Sequence, residues 1–340
     1  MNYNKIKQGF YSFGRYTIIF LICIVIILSL LSLLYDIPLW FTKIIDFPRI
    51  QYFISGVLLL VLFLILNKKW NVASFILVMG IISSIIIHTT KLIPYITGEK
   101  TVPDSRLSGR LLQENSIGIL LANVYIDNKE TSKLLQIIED VNPDLILAME
   151  VNQWWISELQ ELKRDYPYYI EYPLDNAYGI ALYSKFELAE DEIKFLNGDE
   201  VPSVHPKILM PSGKTIRFHG VHPVPPVPSS KYPDNVGEGE VALIKVGKMV
   251  EKDSLPSIVA GDFNDVSWSR TSRMFEDEGS LNNVRIGRGF YNSFNAKSLF
   301  LRWPLDHYFL TEEFSLLKLE RLPKFNSDHF PMYAKFVLNE

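Results

Sequence analysis

Several apolar segments of this sequence end in a residue that can bind a metal ion or a phosphate. Asn123 follows the run ILLA, Glu150 follows LILAM, and Asp262 and Asn264 follow SIVAG in the stretch GDFN. The other members of this set are His222, Asp306, Asp328 and His329. A carboxylate at the mouth of an apolar core is costly unless it is paired, hydrogen-bonded or bound to a cation. The set as a whole therefore indicates a site for a metal ion or a phosphate.

Taken singly, each residue has an ordinary structural explanation. A lone Asn or Glu at a strand end is most often a turn former, and Gly, Asp and Asn are common turn residues. We expect Asp265 and Ser267 to cap a helix that begins near Trp268. His219 and His222 are three residues apart, so on one strand they point to opposite faces and only one can face a cleft. The order and number of the elements, rather than any single motif, support a functional site.

The elements that must position these residues follow from the hydrophobic pattern. From residue 116 onward, short apolar runs alternate with amphipathic segments, which is typical of a mixed α/β domain. We predict strands at SIGILLANVY, LILAME, GIALYS, TIRFHGV, PSIVAG, LDHYFL and PMYAKFV, and helices at TSKLLQIIEDV, WWISELQELKRDY and EVALIKVGKMV. The predicted domain covers residues 116–340 and follows a linker at residues 96–115 that is rich in Pro, Gly and charge.

Three long apolar runs precede this domain, at about residues 17–35, 50–66 and 72–90. Each approaches the ~20 residues that a helix needs to cross a bilayer, so residues 1–95 are predicted to form a multi-pass membrane anchor. Lys and Arg in short loops tend to remain in the cytoplasm. Basic residues before the first run and between the second and third place those segments inside, namely Lys5, Lys7, Arg15, Lys68 and Lys69. The catalytic domain is therefore predicted on the extracytoplasmic side.

Composition divides the chain in the same way. Hydrophobic residues make up 48% of the sequence, and residues 1–100 carry nine Lys and Arg against three Asp and Glu. Residues 101–340 carry 25 Lys and Arg against 35 Asp and Glu, so the soluble part is acidic. An acidic domain lacks the overall positive charge on which non-specific duplex binding relies. The only cysteine, Cys23, lies in the first apolar run and does not indicate a compartment.

The order of the motifs resembles that of the endonuclease/exonuclease/phosphatase superfamily, which includes deoxyribonucleases, abasic-site nucleases, sphingomyelinases and inositol-polyphosphate phosphatases. The resemblance covers roughly residues 115–340, and GDFN and SDH are its most specific parts. It implies a two-sheet β sandwich flanked by helices, in four layers, and magnesium-assisted attack of water on a phosphate ester. The Glu motif reads LAMEV where a Gln commonly precedes the Glu. His222 stands where abasic-site nucleases of this superfamily usually carry Tyr, which favours the deoxyribonuclease, sphingomyelinase and phosphatase branches.

The resemblance also implies a metal site. Glu150 and Asp328 would hold the ion, with Asn123 at or near its coordination shell. Hard carboxylate and amide oxygens suit Mg²⁺ or Mn²⁺, whereas thiolates and clustered imidazoles would suit zinc. The resemblance therefore implies Mg²⁺, or Mn²⁺, as the cofactor.

The remaining roles concern water and phosphate. By resemblance, Asp262 and Asn264 would place the water and grip the phosphate, and Asp306 would orient His329 in a carboxylate and imidazole dyad. His222 would bind phosphate or protonate the leaving group. Asp262 and His329 are both candidates for the general base, and the sequence does not choose between them.

Basic and aromatic residues follow the GDFN stretch and could contact substrate. Arg270 is the main candidate for substrate binding, and the others are Arg273, Arg285, Arg288 and Arg302. A solvated helix face is an equally acceptable explanation for each of them.

These observations predict a membrane-anchored, metal-dependent phosphoesterase that hydrolyses a phosphodiester, as a nuclease does. A lipid or sugar-phosphate phosphodiesterase or phosphatase is the alternative, and a catalytically inactive binding module is a third possibility. The expected partners are a phosphodiester substrate, either nucleic acid or a lipid head group, and the bilayer. The sequence indicates no protein partner.

Overall fold

A computed structural model describes residues 3–34, 37, 39–190, 192–227 and 241–339. Contacts between Cα atoms divide the chain into two compact units, Met1–Pro94 and Tyr95–Glu340.

The first unit is helical. Its helices are α1 (Tyr3–Leu31), α2 (Trp40–Asp46), α3 (Arg49–Leu66) and α4 (Val72–Thr97), the last of which runs past the boundary between the units. Three stretches are long and apolar enough to cross a membrane, Tyr11–Leu34, Arg49–Leu66 and Val72–Thr97, with mean hydropathies of 3.2, 2.2 and 2.2. The prediction that three apolar helices precede the domain is therefore confirmed. Residue 35, the predicted end of the first, lies outside the described residues.

The second unit contains fourteen strands and five further helices among its described residues. The strands are β1 (Ser116–Asn123), β2 (Leu145–Met149), β3 (Tyr168–Tyr172), β4 (Ile180–Ser184), β5 (Leu188–Ala189), β6 (Ile193–Phe195), β7 (Pro202–Val204), β8 (Lys207–Leu209), β9 (Thr215–Val221), β10 (Ser257–Asp262), β11 (Asn282–Asn283), β12 (Asp306–Leu310), β13 (Phe314–Arg321) and β14 (Met332–Leu338). The helices are α5 (Gly109–Asn115), α6 (Ser132–Val141), α7 (Gln153–Glu158), α8 (Ala242–Lys252) and α9 (Arg270–Gly279).

These strands form two mixed sheets. The first has the order β13-β14-β1-β2-β4-β3, with β1 and β2 parallel and the other pairs antiparallel. The second has the order β11-β12-β10-β9-β7-β6, and β8 pairs with both β9 and β5. In the second sheet, β9 and β10 are parallel neighbours, whereas β10 and β12 are antiparallel. The predicted strands thus form two sheets of mixed direction.

The main core lies between the sheets, and the period of two in each strand explains its composition. On β1, Ile119 and Leu121 join the inter-sheet core, whereas Leu120 and Ala122 pack on the opposite face, beneath α6 and α7. A third apolar cluster packs α8 and α9 against the outer face of the second sheet, around Phe263. The result is the predicted four-layer sandwich, with helices outside both sheets.

The segment 96–115, described above as a linker, lies within the second unit. Ser105 donates a backbone hydrogen bond to Leu316 at 2.8 Å, and Leu316 donates to Pro103 at 2.8 Å. Arg288 reaches across to Asp104, with 2.7 Å between Nη2 and Oδ1. This segment therefore adds a short parallel bridge to the edge strand β13.

Candidate active site

Strand register brings Asp262 and Asp306 together. They are directly opposite each other on the antiparallel strands β10 and β12. Gly261, just before Asp262, has a φ of +147° and pairs with Val221 on the parallel neighbour β9. A Cβ at Gly261 would lie 1.9 Å from the Val221 carbonyl oxygen, so only glycine allows this approach. The close approach also brings His222, which follows β9, next to Asp262.

The first sheet contributes Asn123 and Glu150. Asn123 ends β1 and lies opposite Met149, the last residue of the parallel strand β2, so Glu150 emerges beside it. Glu150, the first residue after β2, has a φ of +63°, and Asn264, the second residue after β10, has a φ of +51°. Non-glycine residues seldom adopt this left-handed conformation, and such residues concentrate at functional sites.

Asn123 connects the two sheets. Its Nδ2 donates to Glu150 Oε1 at 2.9 Å and to Asp262 Oδ2 at 3.0 Å. Its Oδ1 accepts the backbone N–H of Tyr125 at 3.0 Å, and Glu150 Oε2 accepts that of Ile126 at 3.2 Å. The amide is buried and its Nδ2 binds both carboxylates, which fixes them relative to each other, while Oδ1 keeps a second lone pair.

His329 lies between two carboxylates. Its Nδ1 donates to Asp306 Oδ2 at 2.7 Å, and its Nε2 is 3.4 Å from Asp262 Oδ2. Burial alone lowers the pKa of His329, but the charges of Asp306 and Asp262 raise it to about 10. Burial raises the pKa of Asp306, and the charge and hydrogen bond of His329 more than offset this, so that pKa lies below its usual range. Burial raises the pKa of Asp262, which the charge of His329 offsets only in part.

His222 and Asn264 complete the surroundings of Asp262. His222 Nε2 is 3.7 Å from Asp262 Oδ2, and its ring centroid is 5.5 Å from that of Tyr178. The Asn264 backbone N–H donates to Asp262 Oδ1 at 2.9 Å, and its side-chain amide donates to the Pro223 carbonyl oxygen at 3.0 Å. Both oxygens of Asp262 are therefore held by named neighbours.

Asp328 lies beside His329 and belongs to the same acidic region. Its Oδ1 is buried, and no group among the described residues forms a hydrogen bond with it. The charge of Asp127 is the main cause of a raised pKa of the Tyr125 hydroxyl, and the charges of Asp328 and Glu150 add to it. Asp328 and Glu150 thus both act on one hydroxyl. An orphaned carboxylate oxygen in an acidic cluster of hard oxygen donors fits a divalent cation.

Among the described residues, one group of three has ligand atoms within 4.8 Å of one another, namely Asp262, Asp306 and His329. Each imidazole nitrogen of His329 already faces a carboxylate oxygen. A proton on each nitrogen satisfies this geometry without an ion. The geometry of the trio is therefore that of a hydrogen-bonded relay, and Glu150, Asp328 and Asn123 are the other oxygen donors that could hold a divalent cation.

Asp306 and its neighbour His307 point in different directions. His307 is buried against Arg285, with 2.6 Å between Nη1 and Nδ1, and its Nε2 donates to the Asp265 carbonyl oxygen at 2.9 Å. Burial lowers the pKa of His307 to about 3 and that of Arg285 to about 10. Arg285 also donates to the backbone oxygen of Asp306. Arg285 therefore supports the strand behind the site from inside the protein.

The basic residues of the sequence pattern have mixed positions. Arg270 is the half-buried first residue of α9 and lies six residues after Asn264 of the GDFN stretch. Arg273 donates to the Trp268 carbonyl oxygen at 2.6 Å, and Arg288 to that of Val102 at 2.6 Å. Arg302 donates to the Ser298 carbonyl oxygen at 2.6 Å.

The capping expectation for α9 was wrong. Ser269 is the N-cap and accepts the Ser272 backbone N–H at 3.0 Å. Asp265 instead accepts from the Ser269 hydroxyl at 2.8 Å, and Ser267 Oγ lies 3.1 Å from His307 Nδ1. The helix begins later than the pattern indicated because Ser269 satisfies its first N–H groups and Asp265 holds that serine.

Two buried serines of the site were not predicted from the sequence, because the pattern of apolar runs does not distinguish them from other serines. Ser327 Oγ donates to the Asn123 carbonyl oxygen at 2.8 Å and accepts the His329 backbone N–H at 3.0 Å. Ser293 Oγ accepts the backbone N–H of Asp306 at 3.1 Å. Ser327 directly precedes the Asp-His pair and could have been suspected from that position. Ser293 lies in an irregular segment, and only the folded chain identifies it.

The family model of the endonuclease/exonuclease/phosphatase family matches residues 120–329. This match spans more than half of the chain, so the chain belongs to that family. Members of the family are hydrolases that act on phosphoester bonds. No curated protein matches the chain.

Solved structures share the fold of the second unit. A family protein from Bacteroides vulgatus has a TM-score of 0.53 and 18% identity, over 66% of this chain and 99% of that one. The human Nocturnin catalytic domain with bound sulfate has a TM-score of 0.52 and 16% identity, over 66% of this chain and 95% of that one. A family protein from Bacteroides thetaiotaomicron has a TM-score of 0.51 and 19% identity, over 66% of this chain and 98% of that one. At these identities the likeness establishes the two-sheet fold.

Proposed function

We propose that this chain is a membrane-anchored phosphoesterase that uses a divalent metal ion and water to hydrolyse a phosphodiester. The observation that carries the proposal is the continuous contact path Glu150–Asn123–Asp262–His329–Asp306, drawn from both sheets. The sulfate in the Nocturnin structure, a protein of the same fold, agrees with an oxyanion substrate.

Glu150 and Asp328 would hold Mg²⁺ or Mn²⁺, with Asn123 at or near its shell. When bound, such an ion supplies neutralisation of the phosphate charge and stabilises the leaving oxygen. The buried, unpaired Oδ1 of Asp328 is the feature of this chain that most directly supports the assignment.

The protein residues would handle the proton. In hydrolysis, the water oxygen forms a bond to phosphorus, one ester P–O bond breaks, and a proton ends on the leaving alcohol. We assign acceptance of the water proton to the pair of Asp262 and His329, because strongly interacting groups titrate as a unit. Asp306 fixes the orientation of His329 through the 2.7 Å hydrogen bond. His222, Asn264 and Arg270 are proposed to bind the phosphate.

A panel of substrates tests this proposal. Full-length protein in detergent micelles is assayed with Mg²⁺ on plasmid DNA, single-stranded DNA, sphingomyelin, phosphoinositides, a simple aryl phosphodiester and a phosphomonoester. We expect a phosphodiester to be hydrolysed, and Asp262→Asn to abolish the reaction in folded protein. Turnover that survives both Asp262→Asn and EDTA would remove the proposed site.

The same panel separates the alternatives. Preference for the monoester would favour a phosphatase. Activity on none of these substrates, with an unchanged fold, would favour the inactive binding module. The extracytoplasmic placement of the domain is a further proposal, and protease accessibility on intact cells tests it.

A further inference from the structure

A loop at residues 294–303 is joined to the segment that carries Asp328 and His329. The Ala296 N–H donates to the Asp328 carbonyl oxygen at 2.7 Å, and Phe294 forms an isolated β-bridge with His329. Phe294 and Trp303 close the loop, because the Phe294 N–H donates to the Trp303 carbonyl oxygen at 3.0 Å. Their rings stack with centroids 6.0 Å apart. The base of this loop, here the Phe294–Trp303 loop, therefore lies beside the proposed catalytic residues.

The tip of the Phe294–Trp303 loop exposes three consecutive apolar side chains. Leu299 is 79% exposed, Phe300 84% and Leu301 55%, and the first two are the most exposed large apolar residues in the described part of the second unit. Scattered apolar residues on a surface are ordinary, whereas a contiguous apolar projection marks an interaction surface.

This tip is a formed structure. The Ser298 hydroxyl accepts the Leu301 N–H at 2.9 Å, and the Ser298 N–H donates to the Asn295 carbonyl oxygen at 3.2 Å. The Asn295 side chain accepts the Lys297 N–H at 2.7 Å. Local hydrogen bonds thus fix the backbone that presents the three apolar side chains to solvent.

Cations surround the base of the apolar tip. Lys297 Nζ lies 4.0 Å from the ring centroid of Tyr125, whose hydroxyl pKa is raised by the charge of Asp127 and, to a smaller extent, by those of Asp328 and Glu150. The guanidinium groups of Arg302 and Arg321 lie 5.0 Å and 4.4 Å from the ring centroid of Phe330. An apolar tip with Lys297, Arg302 and Arg321 near its base suits a bilayer interface. There, apolar side chains enter the acyl region and cations bind the lipid phosphates.

We propose that the Phe294–Trp303 loop inserts Leu299, Phe300 and Leu301 into the surface of a bilayer and that the site hydrolyses a lipid phosphodiester held there. This inference rests on the proposed function and names its substrate class. The chain also carries three helices apolar enough to cross a membrane, so a bilayer is the surface that such a tip would meet. An acidic domain with an apolar tip matches a nucleic acid poorly.

The chemistry requires only water as co-reactant. The water oxygen bonds to the lipid phosphorus, one ester P–O bond breaks, and the proton ends on the departing alcohol. Insertion of the tip would position the head group beside Lys297 and the acidic cluster.

A probe at the tip tests insertion without any assay of activity. Cys23, the only cysteine, is replaced by Ala, and Phe300→Cys is labelled with an environment-sensitive dye in full-length protein. In phosphatidylcholine vesicles with some anionic lipid, we expect spin-labelled acyl chains to quench this dye. The matched control is Leu209→Cys, an exposed apolar position on β8. Equal quenching at both positions, or none at 300, would overturn the insertion.

A second experiment tests the substrate. Leu299→Ser, Phe300→Ser and Leu301→Ser are combined, and hydrolysis is measured on sphingomyelin and phosphatidylinositol in the vesicles and on a soluble aryl phosphodiester. We expect at least a 10-fold loss on a vesicle lipid and less than a twofold change on the soluble ester. The control is Leu209→Ser with Leu317→Ser.

The outcomes distinguish the two proposals. If wild type hydrolyses none of the phosphodiesters while the dye is still quenched, the proposed function fails and the insertion stands. If wild type hydrolyses DNA or the soluble ester but neither lipid, the function stands and the lipid assignment fails. An equal loss on soluble and vesicle substrates would also overturn it, because the tip would then support the site itself.

Discussion

Asp306 receives a hydrogen bond from His329 at 2.7 Å, while Asp262 faces the other nitrogen of the same ring at 3.4 Å. The imidazole thus has two carboxylate partners on opposite sides, one of which orients it. Both carboxylates are buried at one edge of the second sheet, where β10 ends and its antiparallel neighbour β12 begins. This arrangement suits a group that must receive and return a proton in a fixed direction.

Loss of the orienting carboxylate should lower turnover. Asp306→Asn keeps the shape of the side chain but removes the charge that holds His329 in position. We expect kcat to fall by roughly 100-fold to 10,000-fold with little change in KM. Steady-state kinetics on the best substrate of the panel measure this. Asp127→Asn, an exposed carboxylate, is the control, and an equal effect in both variants would contradict the assignment.

Metal binding should stabilise the folded protein. Excess Mg²⁺ at about 100 times its Kd adds about 2.7 kcal/mol to the free energy of unfolding. We expect the thermal midpoint of full-length protein to rise by several degrees with Mg²⁺ relative to EDTA. Glu150→Gln and Asp328→Asn should each remove most of this rise. A full rise in both variants would place the ion elsewhere.

Gly261 should tolerate no side chain. A Cβ there would meet the Val221 carbonyl oxygen at 1.9 Å, and the backbone has a φ of +147°. We expect Gly261→Ala to lower the free energy of unfolding by more than about 3 kcal/mol. Gly213→Ala is the matched control, because its φ is +83° and nothing lies within 4 Å of the added Cβ. That variant should lose only about 1 kcal/mol, and similar losses in both would refute the steric argument.

Two buried histidines outside the site should make stability depend on pH. His205 Nδ1 lies 2.7 Å from His219 Nδ1, and burial lowers the pKa of His205 well below its usual range and that of His219 to about 3. In the unfolded chain both groups bind protons near pH 6.5, whereas in the folded chain His219 does so only near pH 3 and His205 only well below its usual range. Stability should therefore fall as the pH drops below about 6.5, by ~2 kcal/mol at pH 5 for His219, with a further loss from His205.

Denaturant unfolding at pH 7 and pH 5 measures this effect. The variant His205→Gln with His219→Gln should be less stable than wild type at pH 7, but it should lose much less stability on acidification. An unchanged difference between the two pH values would assign the acid sensitivity to other groups.

The hydrophobic pattern predicted the main strands because they are apolar runs with clear ends, whereas the two-sheet sandwich was implied by the family resemblance. The strand at SIVAG and the strand at LILAM both appear where the pattern placed them, as β10 and β2. The short edge strands β5 and β11, of two residues each, carry no period of their own and were not predicted. Their pairing depends on long-range contacts that a local pattern does not contain.

Candidate residues such as Asn123, Glu150 and Asp262 were accessible from the sequence because each ends or directly follows a recognisable apolar strand. Their relative positions were not, because Asn123 and Asp262 belong to different sheets and meet only when the sandwich closes. The Phe294–Trp303 loop was also missed as a surface. Its apolar tip, in letters alone, is indistinguishable from a short buried segment.

The bridge from Glu150 through Asn123 to Asp262 crosses the seam between the two layers of strands. The proposed alignment of the catalytic residues therefore depends on the relative position of the two sheets. A relative shift of about an ångström would separate Glu150, on the first sheet, from Asp262, on the second. Partial loosening of the sandwich should silence the enzyme well before the chain unravels. Inactivation by mild denaturant would, on this basis, precede the loss of circular dichroism.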